Sequence, residues 1–120
     1  MTKIVFYKQN GSFYGFRETG HAGFASAGHD VLCAALSAMT MLIINTVEIA
    51  YASNVEYEID EGATRVCVKC AAALPEFEED ERKRYAISGL FMAYYYQLND
   101  MLEDNYDYLD VDVVDKPYSN

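Results

Sequence analysis

The chain has 120 residues and a mass of 13.6 kDa, which fits one domain (1–120) burying about 65% of its extended surface and rules out a two-domain arrangement. Nine basic against 19 acidic residues leave a net charge of −10, which argues against nucleic acid as a direct partner and against binding to anionic membranes, since both need Lys and Arg. Hydrophobic residues make up 52% and there are only two prolines, so the chain reads as folded, acidic and soluble, and attractive to basic partners at low salt.

The opening residues, Met1-Thr2-Lys3-Ile4-Val5-Phe6-Tyr7-Lys8, lack the apolar stretch of a secretory signal, so a cytoplasmic protein is expected. Cys33, Cys67 and Cys70 are odd in number, and at least one thiol is expected outside any disulfide. Residues 4–7 and 13–17 are β-rich runs joined across Asn10-Gly11, the strongest short hairpin signal. Residues 20–28 turn to Gly, Ala, Ser and His and read as a mobile functional loop.

Asp30 is a favoured N-cap type, and no Pro or Gly follows until after residue 52, so a long helix is expected to start there. Leu32, Leu36, Met39, Ile43, Val47 and Ala50 form its apolar stripe. Asn45 and Glu48 interrupt it and no flanking Lys or Arg marks a membrane span, so a core helix covered on most sides is expected.

Residues 55–59 and 64–70 form a second predicted hairpin, and Pro75 marks the turn after it. Glu78, Glu79 and Asp80 stand four residues ahead of Arg82, Lys83 and Arg84, the favourable order for ion pairs within a helix running to about residue 102. Ile87, Phe91, Tyr94, Leu98 and Met101 are its core stripe. Leu109, Val111 and Val113 alternate with Asp110 and Asp112 in a closing strand that Pro117 ends. The order β-β-α-β-β-α-β predicts an α+β two-layer sandwich, an antiparallel sheet with two main helices packed on it.

With Asp30 as cap, Cys33 falls in the first helical turn, where unpaired amides and the helix dipole favour the nucleophilic thiolate. Only two histidines exist, His21 and His29, both on the loop leading into this helix, and spacing leaves either as the base. The plain alternative is a pair of surface histidines and a small buried Cys that packs as a hydrophobe. Asp30 is explained as a cap, or it orients the imidazole; Ser37, one turn after Cys33, permits close packing or donates a hydrogen bond beside the thiol. Cys67-Val68-Lys69-Cys70 has metal or redox spacing, but side chains three apart on a strand point to opposite faces and no second ligand pair is present, so no metal is expected.

Gly20-His21-Ala22-Gly23, then Gly28-His29-Asp30-Val31-Leu32-Cys33-Ala34, then Ser37-Ala38, resemble the signature of the bacterial ribosomal-processing cysteine protease family, Prp. The element order and length fit that family over nearly the whole chain. The resemblance implies a cysteine endopeptidase with Cys33 as nucleophile and His21 as general base, with Gly20, Asp30 and Ser37 at supporting positions and residues 20–29 as a mobile active-site loop. It implies no cofactor, a cytoplasmic homodimer, and as substrate the ribosomal large-subunit protein twenty-seven with its N-terminal extension, cut after an aromatic residue. The strongly basic remainder of that substrate suits an enzyme at −10. A non-catalytic ribosome-associated binding or assembly module, and a redox or metal protein centred on Cys67 and Cys70, are the alternatives. Neither explains why two histidines and a helix-terminal Cys crowd into one short segment.

Overall fold

The computed structural model describes residues 1–20, 27–60 and 62–119, and for 27–30 the backbone path. Two strands, β1 (Thr2–Gln9) and β2 (Ser12–Thr19), open the chain. They pair through a two-residue loop, Gln9 facing Ser12, with both Asn10 (φ +50°) and Gly11 (φ +84°) left-handed. That is the turn whose twist matches the strands, and it is why Asn-Gly announces it. Helix α1 spans Ala27–Asn45 and runs into a π-helical turn, Thr46–Ala50, where the Thr46 hydroxyl donates to Leu42 O at 2.6 Å and the Tyr51 amide reaches back to Thr46 O. The second hairpin is β3 (Glu56–Asp60) and β4 (Arg65–Lys69); α2 (Glu81–Asn105) and β5 (Leu109–Asp115) follow.

The sheet order is β3-β4-β2-β1-β5. Three neighbouring pairs are antiparallel, but β5 lies parallel to β1, Thr2 facing Leu109 and Lys8 facing Asp115, so the sheet is mixed rather than purely antiparallel. The long α2 carries the chain back along the sheet before β5 enters, as a parallel connection requires. Otherwise the α+β two-layer sandwich and its element order are as the sequence predicts.

Phe6 and Phe16 face each other across β1 and β2, and their side of the sheet meets Phe91 and Tyr94 of α2 with ring centroids 5.1–6.2 Å apart. Ile87, Phe91, Tyr94 and Leu98 are buried, the predicted stripe. From α1, Leu32, Leu36, Ile43, Ile44 and Val47 complete the core. The expectation that α1 is covered on most sides fails: only 33% of the stretch Val31–Ala50 is buried. That stretch is long and apolar enough to cross a membrane by length and composition alone. Val31, Met41, Leu42 and Ile49 lie exposed on its outer side, because one sheet and one neighbouring helix cover a single stripe and the sequence is apolar beyond it.

The predicted ion pairs at the start of α2 also differ. The helix begins at Glu81, so residues 78–80 lie outside it and the ion pairs that form have other spacings, Lys83 with Glu78 at 3.6 Å and Arg82 with Asp80 at 3.7 Å. Instead Asp80 caps the helix, accepting from the Arg82 amide at 2.9 Å and the Lys83 amide at 3.4 Å, while Arg84 donates to the carbonyls of Glu78 and Glu79. The Lys83 amide, and behind it the Arg82 amide, hold the Asp80 carboxyl below its ordinary pKa against an opposing desolvation. A carboxylate lowered by folding stabilises the folded state above its unfolded pKa, and that contribution fades as pH falls through the lowered value. Asp80→Asn, which caps without titrating, should therefore flatten part of the acid loss of stability. Urea midpoints of both proteins at neutral pH and below the carboxylate range check this; parallel loss would contradict it.

Candidate functional site

β2 ends at Thr19, and Gly20 turns the chain out of the sheet with φ +79°. A Cβ at Gly20 would sit 2.3 Å from the Met1 carbonyl oxygen, so the backbone here is wedged against the start of β1 and only glycine fits. Gly20→Ala should cost about 1–3 kcal/mol from strain and clash. Gly11→Ala, at a similar φ but with nothing within 4 Å of its Cβ, is the matched control in thermal melts and should cost less.

His21 and the rest of residues 21–26 lie outside the described residues, as does most of the loop placed at 20–29. The chain is described again at Ala27, already helical, so α1 starts three residues before Asp30. Asp30 is therefore inside the first turn and is not the N-cap, and Cys33 moves to the second turn. The dipole effect falls off within the first turn, so it supports the Cys33 thiolate less than a place beside the cap would. The side chains of Ala27, His29 and Asp30 are likewise outside the description.

Cys33 itself is half-buried and not in a disulfide. Leu32 and Leu36 beside it point into the core, while Ser37, one turn on and on the face of Cys33, is exposed. The helix thus holds a thiol at the boundary between core and solvent, where it is positioned by packing and still reachable. Gly20, just past the end of β2, and Ala27 in the helix bearing Cys33 are the described residues on either side of residues 21–26.

Sequence reading missed Glu18. It pairs with Ile4 and Val66 on the helix side of the sheet, two residues after Phe16, and is 2% exposed. Burial, then the Glu18 charge, pushes the Tyr94 hydroxyl up in pKa, with Thr40 of α1 adjacent. Burying an acid among two helices and a sheet is costly, and Glu18 lies close enough to Tyr94 to act on its hydroxyl under the helix that bears Cys33. Its signal in the sequence is an acid at an inward position of a strand.

Cys67 and Cys70 do not form a site. Cys67 faces Arg17 on the side of the sheet away from the helices, half-buried; burial raises its pKa, and Lys69 and Arg17 offset part of this. Cys70 is buried just past β4, its thiol donating to Asn54 O at 3.1 Å, and burial raises it too. Among the described residues no three His, Cys, Asp or Glu gather around a common point.

Against known proteins, the family model described as cysteine protease Prp matches residues 1–110. No curated protein matches the sequence. Among solved structures, the fold is similar to SMU.848 from Streptococcus mutans, with TM-score 0.78 and 22% identity, covering 97% of this chain and 99% of that one. It is also similar to a ribosomal processing protease Prp from S. aureus in complex with a substrate peptide (TM-score 0.71, 14% identity, 97% of this chain and 100% of that one). The same S. aureus protease with a covalently linked product peptide gives TM-score 0.70 at 15% identity, covering 95% and 100%. At these identities the likeness establishes the fold.

Proposed function

The chain belongs to the cysteine protease Prp family, and from that membership we propose that Cys33 is the nucleophile and His21 the general base of a cysteine endopeptidase. The observation that carries the reading is the half-buried, reachable thiol of Cys33 on α1, immediately beyond the segment that bears His21. Gly20, which admits no side chain, fixes where that segment leaves the sheet; Asp30 and Ser37 support from the first and third turns of the helix.

The chemistry is acyl transfer. His21 takes the proton from Cys33 Sγ, and the thiolate forms an S–C bond to the scissile carbonyl. As the tetrahedral species collapses, the C–N bond breaks and the imidazolium returns its proton to the leaving amine. Water, deprotonated by the same imidazole, then attacks the thioester, releasing the acid and restoring the thiol. Main-chain amides at the start of α1 are the natural donors to the oxyanion, since the first four have no partner within the helix.

The substrate we propose is the ribosomal large-subunit protein twenty-seven with its N-terminal extension, met in the cytoplasm and cut after an aromatic residue. The S. aureus protease of the same fold is a ribosomal processing enzyme seen with substrate and product peptides, and a chain of −10 attracts a basic substrate. The active form is a homodimer. Its contact is the apolar outer side of α1, where Leu42 is 62% and Ile49 77% exposed, together with the groove of about 310 Å³ between Met39, Leu42, Leu90 and Ala93.

Mass spectrometry of the extended substrate after incubation with this protein, beside Cys33→Ala and His21→Ala, tests the reading. One cut that both substitutions abolish is expected; an uncut substrate would point to a binding module instead. Light scattering of wild type and Leu42→Glu tests the dimer, which the substitution should convert to monomer.

A further inference from the structure

The sheet face turned away from the helices is crossed by residues 116–119. The Lys116 amide donates to Lys8 O at 2.9 Å, extending the β1–β5 ladder, and the Tyr14 hydroxyl donates to Lys116 O at 2.7 Å. Tyr118 is then held by its amide, its hydroxyl and its ring. Its amide donates to Gln9 Oε1 at 2.6 Å, and its hydroxyl donates to Glu56. The ring meets Tyr14 at 5.3 Å and Phe77 at 5.2 Å, with the Lys69 ammonium 4.9 Å from its centroid. The same ammonium donates to the Ser119 carbonyl.

The socket is built by a bulge. Tyr7 pairs with Gly15 and Lys8 with Phe13, leaving Tyr14 as an extra residue whose ring turns to stack on Tyr7 at 5.9 Å and form one wall. Gly15 beneath has no room for a side chain, since its Cβ would lie 2.6 Å from Val68 O. Capture of an amide and the following carbonyl, with a shaped pocket for the side chain between them, is how peptide-binding grooves read an extended ligand. Pro117 pre-sets the approach, fixing its own φ and favouring extended backbone before it. A cavity of about 320 Å³ lined by Glu56, Tyr57, Glu58, Cys67 and Lys69 adjoins the socket and shares Glu56 and Lys69 with it, which pair with one another at 3.7 Å, while Glu58 pairs with Arg65 at 2.8 Å. The family match ends at residue 110, ahead of the residues that fill the socket.

We propose that this socket is a peptide-binding site separate from the Cys33 chemistry, that it takes an extended partner segment presenting Pro-Tyr, and that residues 116–119 occupy it in cis. A short tether gives the occupant an effective concentration in the millimolar range, so a partner must compete with it. The probe is a fluorescein-labelled peptide, Lys-Pro-Tyr-Ser-Lys, followed by anisotropy. It should bind Tyr118→Ala at least tenfold more tightly than wild type, and replacing its tyrosine by alanine should abolish binding. Hydrogen exchange on the unaltered protein is the second measurement: millimolar peptide should speed exchange of the Tyr118 amide, which is released from Gln9. Equal binding to the two proteins, no binding to a folded Tyr118→Ala, or an unchanged Tyr118 amide would each overturn the proposal.

Discussion

Cys33→Ala is expected to lower kcat/KM by at least about 10³-fold, because in the proposed mechanism the substitution removes the attacking atom and leaves only binding and oxyanion stabilisation. His21→Ala should cost a similar factor, and the double substitution little more than either alone, since the two groups act in one proton transfer. The fold should survive: Cys33 is half-buried, and trimming it to alanine should change stability by less than about 1 kcal/mol. Steady-state kinetics with far-ultraviolet circular dichroism on the three variants reads both quantities. Equal loss from the two single substitutions with strong additivity in the double would mean that the residues do not act together.

Phe6→Ala should produce the largest loss of stability of any single truncation in the sheet. Its ring is fully buried and lies 5.3–6.1 Å from the rings of Phe13, Phe16, Tyr94 and Tyr95, so it joins both opening strands to α2. Removing a buried phenylalanine costs about 3–5 kcal/mol, a large share of the roughly 5–15 kcal/mol that holds a domain together. Phe6→Leu keeps most of the volume and should lose about 1.5 kcal/mol or less. Urea midpoints of the two variants at equal slope decide it; near-equal values would show that the aromatic cluster repacks freely.

Legibility in the sequence followed how local each signal is. The Asn10-Gly11 turn is set by the φ values two residues can adopt, so it was readable to the residue. The core stripe of α2 was readable because Ile87, Phe91, Tyr94 and Leu98 repeat at the helical period. The start of α1 was not, because Asp30 is a favoured cap type yet sits inside a helix, and a glycine at 28 costs a helix only about 1 kcal/mol. The direction of β5 escaped for another reason: alternation of Leu109, Val111 and Val113 fixes which side of the strand is apolar and says nothing about its partner. An all-round apolar α1 reads as buried, and whether the cover comes from the same chain is not written in its period. Of the candidate site, the sequence supplied Cys33 and Ser37 on one helix face and Gly20 at a turn, while the inward Glu18 was hidden in a strand read for its hydrophobic members.

The parallel pairing of β1 with β5 also sets a schedule for the protein's own manufacture. β1 precedes and β5 follows the other described elements, so β1 leaves the ribosome about a hundred residues before the strand that becomes its second neighbour. Until then one edge of β1 stays unpaired beside a finished hairpin, and it is open to a neighbouring nascent chain. Closing so long a loop before the contacts reward it makes this the slow step of maturation. Pulse-labelled chains arrested before residue 109 should therefore be digested by protease, and chains released past residue 115 should resist.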